Sequence, residues 1–321
     1  MRFSRFLVCG AAVRIGLYIS AGATTPIDTL LERFERAEAD GFATAWVGQV
    51  FDHDALTLLA LAARATRRIE LGSWVVPAPL RHPAVLAQQA LTVQAASSGR
   101  LVLGVGVSHQ EVVARCFGEP FEHPARHMRE YLELLVPLLA GERVEHAGER
   151  YRVSLQLGRL GANPPPVLLA ALGPAMLRLA GAAAAGAAIW LGSRRYLEEL
   201  AVPRLREAAR AAGRSAPRVA CGFPIAVTRD LAAARTGAQA LLARSAKLPA
   251  YRRVLERGGL TQPAEAAIVG DEDAVAREIA ALAAVGVTDL NAALFAVEGD
   301  PGAPARTQTL LAGLARAANV D

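Results

Sequence analysis

The chain has 321 residues, 53% of them hydrophobic, which is enough for two domains or for one large α/β barrel. A net charge of +5 permits nucleic-acid binding, but the arginines are scattered singly among acidic residues and form no basic motif, so no nucleic-acid partner is expected. Lys247 is the only lysine and lies in a polar connection, which argues against a Schiff-base aldolase.

The N-terminus imitates a short signal peptide, with Arg2 and Arg5 ahead of an apolar run. A core strand follows at once, which leaves no room for a cleavage site. We therefore expect residues 1–13 to be a disordered leader and residues 14–321 to form a single domain.

The setting of the protein is predicted from its cysteines and its longest apolar run. The three cysteines, Cys9, Cys116 and Cys221, show no paired spacing, which favours a reducing, cytoplasmic environment. The apolar run at 180–191 is too short to span a bilayer, so no membrane partner is expected.

Strands and helices alternate along the chain. Apolar, β-branched segments predict eight strands, at 14–20, 43–48, 69–76, 101–106, 167–171, 187–191, 219–227 and 289–295. The first helix is expected to have Thr25 as its N-cap and to stop at Gly41, and Asp54 is expected to cap the second. The stretch from 69 to 109 is typical of a strand, a helix over 83–95 and a parallel strand.

Two segments exceed a simple alternation. An amphipathic helix at 125–139 and a hairpin over 141–157 follow strand four, and a long, mostly helical region follows strand seven. The last strong helix is expected to start at Asp271 and to stop at Gly286. This pattern predicts a (β/α)8 TIM barrel with insertions after strand four and strand seven.

The active site of such a barrel lies at the C-terminal ends of its strands. The predicted strand exits carry no lysine, no pair of metal-binding histidines and no facing carboxylates. The residues that aldolase, metal hydrolase and glycosidase chemistry requires are therefore missing from the strand exits, and no metal site is expected. Such a mouth suits a bound organic cofactor that carries the chemistry.

Several motifs, in order, resemble one known family. They are the segments 41–48 (GFATAWVG), 81–94 (RHPAVLAQQALTVQ), 99–106 (GRLVLGVG), 170–174 (AALGP) and 269–271 (VGD). The chain from Arg14 onward resembles the luciferase-like monooxygenase superfamily, in its branch dependent on the deazaflavin coenzyme F420. The resemblance implies a TIM barrel that binds coenzyme F420 and forms a homodimer.

The resemblance also implies cofactor-binding residues at four strand exits. A non-proline cis peptide at Trp74–Val75 would back the deazaflavin ring, and the exit of strand four would contact the ring. Two further loops would hold the cofactor phosphate, where helix-start amides and an arginine suit a phosphodiester. The implied contacts beyond the cis peptide are Val107, Ser108, His109, Ala171, Leu172, Gly173, Gly192, Ser193 and Arg194.

The chain departs from the sugar-phosphate dehydrogenases of this family. Their Asp-His pair after strand two is replaced by Gln49 and Val50, and their acidic residue after strand four by His109. These changes argue against a sugar-phosphate substrate. Glutamine can orient a carbonyl or contact the ring but is no general base. We predict His109 and Gln49 as catalytic residues, with a capping role for His109 and a purely ring-binding role for Gln49 as the alternatives.

The resemblance implies hydride transfer between C5 of coenzyme F420 and a small organic substrate, with an activated C=C or C=O bond as the expected acceptor. One alternative is a monooxygenase of the same superfamily that uses FMN. Another, from a different class, is a non-catalytic flavin- or deazaflavin-binding protein. The connection from 246 to 263 is a candidate lid over the site.

Overall fold

The computed structural model describes residues 13–318. The expected leader, residues 1–13, lies outside the described residues except for Val13, which is buried in the core directly ahead of the first strand.

A closed parallel barrel forms the centre of the molecule. Each strand pairs in parallel with its neighbours, and strand eight pairs with both strand seven and strand one, which closes the ring. The predicted (β/α)8 barrel is thus confirmed. Within residues 13–318 its eight strands are Arg14–Tyr18, Thr44–Val47, Glu70–Ser73 with Val76–Pro77, Leu101–Gly106, Val167–Ala170, Gly186–Trp190, Arg218–Val227 and Asp289–Leu294.

Helices surround the barrel and bury their apolar faces against it. In the described part of the chain the longer ones are Ile27–Ala39, Ala55–Ala65, Pro83–Ala96, Pro124–Leu139, Pro174–Ala183, Val202–Ala211, Leu231–Leu241, Glu272–Ala284 and Ala303–Ala318. The segment 194–201 continues into the sixth of these and contains a π-helical turn, Leu197–Ala201.

The helices differ from the sequence expectations in three places. The helix Gln110–Phe117 was not predicted, because it is only eight residues long and buries a single side chain, Val113. The helix Glu272–Ala284 has Asp271 as its N-cap and ends before Gly286, as predicted, but another helix follows strand eight. The last, Ala303–Ala318, buries mostly alanine and threonine, which give a weak apolar pattern. The first helix has Pro26, not Thr25, at its N-cap position, and no side chain caps it.

Charged residues close the bottom of the barrel. Arg14 and Arg218 both pair with Glu70 and with Asp289, so two arginines and two carboxylates form one network inside the ring of strands. Asp289 is only 2% exposed, so the two arginines take the place of water as the partners of its carboxylate. The floor is therefore a fixed, fully paired layer beneath the apolar interior.

Both predicted insertions are present. After strand four, the helix Pro124–Leu139 is followed by an antiparallel hairpin, Arg143–Ala147 with Arg152–Gln156. After strand seven come the short helices Ala243–Ala246 and Pro249–Arg257 and a strand, Ile268–Gly270, that pairs with the outer half of strand seven. No helix in the described range, 13–318, has the length and hydropathy needed to cross a membrane.

Candidate active site at the barrel mouth

The tryptophans of the chain lie inside the barrel. Trp46 is fully buried and meets Trp74 edge to face, with ring centroids 5.1 Å apart. Above it, Trp74 and Trp190 both lie against Gly222, where an added Cβ would come within 2.4 Å of the Trp190 ring and 2.9 Å of the Trp74 ring. Gly222 thus gives the two indoles room to line the mouth.

Strand three is interrupted at its C-terminal end by the predicted cis peptide bond between Trp74 and Val75. The Val75 side chain packs beside strand four at Gly104 and Gly106, where an added Cβ would come within 3.0 Å of its methyl groups. Ser73 ties the same two strands together, because its hydroxyl donates to Gly104 O and accepts from Gly104 N, each at 2.9 Å. The exit of strand three is therefore held in one shape.

Gln49 follows strand two, as predicted, but its amide oxygen accepts a hydrogen bond from Ala55 N at 3.2 Å. Asp54 caps the same helix through Thr57 N at 2.9 Å and pairs with Arg81. The start of this helix therefore orients the Gln49 side chain. Its amide nitrogen can then donate a hydrogen bond to a ligand.

Tyr18, at the end of strand one, is a candidate that the sequence analysis missed. Its hydroxyl lies against Gly48, where an added Cβ would be 2.3 Å from the oxygen and 3.4 Å from Trp74 O. Burial raises the pKa of Tyr18, a backbone hydrogen bond from Gly48 opposes this, and nearby Asp52 adds to the rise. Tyr18 therefore keeps its proton at neutral pH beside the cis peptide. The tyrosine was overlooked because strand one was predicted to exit at Ser20.

His109 lies at the exit of strand four, after the core-packed Val107 and after Ser108, which has a positive φ of 62°. It is the N-cap residue of the helix Gln110–Phe117, but its side chain makes no capping hydrogen bond. Its ring instead faces Tyr251 of the second insertion, with centroids 5.4 Å apart. Burial lowers the pKa of His109, with partial opposition from Glu111, so a neutral imidazole is expected at pH 7.

The exit of strand five forms the first of the two predicted phosphate loops. Ala171 is buried, and Leu172 O accepts a hydrogen bond from the Tyr196 hydroxyl at 2.7 Å. Gly173 then starts the helix Pro174–Ala183 with no side-chain cap, and no heavy atom lies within 4 Å of a Cβ placed on it. Free backbone amides beside open space at a helix start fit the phosphate of a cofactor.

The second predicted phosphate loop, at the exit of strand six, is already engaged by other parts of the chain. Gly192 is closely packed, and the Ser193 hydroxyl donates to Gly258 O and accepts from Tyr196 N, each at 3.2 Å. Arg194 is exposed and pairs with Glu278 at 3.4 Å. Phosphate contacts by Ser193 and Arg194 stay predictions, and they require these side chains to exchange their present partners.

Comparison with known proteins agrees with this architecture. Residues 1–289 match the luciferase-like monooxygenase family. An uncharacterized protein of Mycobacterium tuberculosis is 36% identical over 240 residues, 69% of each chain. An F420-dependent glucose-6-phosphate dehydrogenase of Kineococcus radiotolerans is 29% identical over 278 residues, 82% of this chain and 81% of its own.

A solved structure shares the fold. The coenzyme F420-dependent tetrahydromethanopterin reductase from Methanopyrus kandleri superposes with a TM-score of 0.79 at 23% identity, over 94% of this chain and 98% of that one. The fold and the mouth thus define a TIM-barrel oxidoreductase. The chain belongs to the luciferase-like monooxygenase family.

Proposed function

We propose that the protein binds coenzyme F420 and transfers a hydride between it and a small organic substrate that carries an activated C=C or C=O bond. The observation that carries this proposal is the order of the exits of strands four, five and six, which are neighbours in the barrel. His109, the uncapped helix start at Gly173 and the loop at Ser193 therefore lie side by side. This order suits a flat ring at one end and a phosphate at the other.

The residues of the mouth have separate roles in the proposed reaction. When bound, coenzyme F420 supplies or accepts the hydride at C5. The indoles of Trp74 and Trp190 line the mouth and would exclude water from the bound ring. Neutral His109 is suited to accept a proton or to hold one in a hydrogen bond, whereas Tyr18 keeps its proton and can donate to a substrate oxygen. The amide of Gln49 orients a carbonyl.

A sugar phosphate is not the substrate that we propose. The F420-dependent relative from Kineococcus radiotolerans acts, by its name, on glucose 6-phosphate. Sugar-phosphate dehydrogenases of this family carry an Asp-His pair after strand two. This chain has Gln49 and Val50 there, neither of which is a general base, so His109 would have to act without that pair. A carbonyl substrate, whose oxygen accepts hydrogen bonds, fits the donors of Tyr18 and Gln49 better than an alcohol does.

The proposal is tested by following the oxidation of reduced F420 in the presence of cyclic enones and ketones. We expect turnover with at least one of these substrates and loss of about 10²- to 10⁴-fold in rate in His109→Ala, as for other general acid–base residues. Oxygen consumption with reduced FMN would instead support the monooxygenase alternative. Tight F420 binding without turnover over the whole panel would support a non-catalytic binding protein.

We also propose that the protein acts in the cytoplasm as a homodimer, following the resemblance to its family. Sedimentation equilibrium measures the second point directly, with a mass of about twice the 33.7 kDa of one chain as the expected result.

A further inference from the structure

Three apolar side chains at the mouth are exposed to solvent. Val50 and Phe51 in the loop after strand two are 54% and 52% exposed, and Phe117 at the end of the helix Gln110–Phe117 is 47% exposed. The two phenyl rings are stacked, with centroids 6.2 Å apart and planes 24° apart. We name these three residues the aromatic rim.

The aromatic rim spans the exit of strand three. Strands two and four are the two neighbours of strand three in the barrel. One ring of the stacked pair lies in the loop after strand two, and the other lies at the end of the helix after strand four. The helix that carries Phe117 also packs on the turn Ala78–Leu80, which follows strand three. The pair therefore bridges the loops on either side of the Trp74–Val75 peptide.

The rim is continuous with the candidate active site. Phe51 lies two residues after Gln49, and Phe117 ends the helix that His109 starts, about 12 Å along its axis. A molecule that places its reactive bond beside His109 would extend along this helix to the stacked rings. The rim side chains are apolar, and the half-buried imidazole of His109 at the other end is expected to be neutral.

We infer that the aromatic rim binds the apolar chain or ring of an uncharged substrate whose reactive C=C or C=O bond lies at the mouth, and this assignment rests on the proposed function. Offset aromatic rings bind apolar groups over a large area at little loss of conformational freedom. The rim therefore favours substrates with an apolar tail of up to about 12 Å over small polar ones of equal reactivity.

The size of the rim fits a small molecule and not a protein partner. A phenylalanine has an area of roughly 150–250 Å², so two half-exposed rings and one valine offer roughly 300 Å². A stable protein interface covers about 800 Å² on each partner. The rim is well below that area but matches the apolar part of a metabolite.

The test uses a series of 3-alkylcyclohex-2-en-1-ones, from methyl to pentyl, together with a pentyl analogue that ends in a carboxylate. Isothermal titration calorimetry measures the Kd of each compound for the purified protein, without any need for turnover. We expect each added methylene to tighten binding by about two- to fourfold. The terminal carboxylate should cancel the gain of the pentyl chain.

Variants then assign this gain to the rim. In the double variant Phe51→Ala and Phe117→Ala, we expect each added methylene to leave the Kd nearly unchanged, a factor of about one. The Kd of the methyl compound should also change little. The matched control is Leu61→Ala, which removes a 42% exposed side chain from the helix Ala55–Ala65 and should keep the full gain. All three alanine substitutions lie at exposed sites and should leave folding intact.

Several results would overturn the inference. One is that no enone of the series binds, and another is that the Kd does not change along the series. The others are that the double variant keeps the full gain in affinity per methylene, or that Leu61→Ala loses it. A change in sedimentation of the double variant would overturn it too, by making the rim a contact between copies. The two proposals can fail separately. If affinity rises with chain length through the rim but no compound oxidises reduced F420, the inference about the rim stands and the proposed function is contradicted.

Discussion

Replacing Gly222 by alanine should disturb the mouth through the two tryptophans that it supports. The added Cβ would lie 2.4 Å from Trp190 Cε3 and 2.9 Å from Trp74 Cζ2, whereas carbon atoms in contact are about 3.5–4.0 Å apart. At least one indole must therefore move by about 1 Å. Overpacking of this kind costs roughly 1–3 kcal/mol in the free energy of unfolding.

Urea unfolding and the tryptophan emission spectrum of the folded state measure this effect. We expect Gly222→Ala to lose stability within that range and to shift the emission, since Trp190 and Trp74 both change their surroundings. The matched control is Gly158→Ala, where no heavy atom lies within 4 Å of the added Cβ and stability should be unchanged. Equal stability of Gly222→Ala and the unmodified protein, with identical emission, would refute this account of the mouth.

Three further predictions concern the floor, the histidines and a phosphate loop. Asp289→Ala leaves the half-buried Arg218 with one carboxylate partner and should cost about 3 kcal/mol in urea unfolding. The folded-state pKa values of His109 and of His127, a buried residue of the helix Pro124–Leu139, lie below the usual 6.5, mainly through burial, so the unfolded chain binds more protons. The contribution of these two histidines to the free energy of unfolding is therefore fully present above pH 6.5. It should be lost as the pH falls below 6.5, by up to about 1.4 kcal/mol per pH unit for each histidine. His127→Gln should flatten a denaturation series between pH 5 and 8, and an unchanged slope would contradict this. Tyr196→Phe removes the hydrogen bond to the exit of strand five and should cost about 1 kcal/mol, read as a lower urea midpoint.

The barrel itself could be predicted from the sequence because buried parallel strands are continuous apolar runs. The predicted strand ends were one or two residues too long at several exits, as at Ser20 and Phe295, because the apolar residues Ile19 and Phe295 extend each run past the end of its strand. The Trp74–Val75 cis peptide followed from the resemblance and is present. The helix Ala303–Ala318 was missed because its buried face is made largely of small residues.

Contacts between distant parts of the chain could not be predicted. Nothing in the local pattern indicates that Tyr251, 142 residues after His109, would lie against its ring, or that the Ser193 hydroxyl would donate to Gly258. Both contacts place the candidate lid, residues 246–263, against the predicted site. Tyr18 was missed because strand one was predicted to continue to Ser20, and the contacts that single it out come from Gly48 and Asp52, which follow strand two.

The central claim is that the mouth of this barrel binds coenzyme F420, and a fluorescence titration tests it most directly. The chain contains three tryptophans, two of which line the mouth while Trp46 lies directly beneath, so quenching reports on this site alone. Titration with F420 and, separately, with FMN should give saturable quenching by F420 and negligible quenching by FMN. Saturable quenching by FMN with none by F420 would contradict the claim.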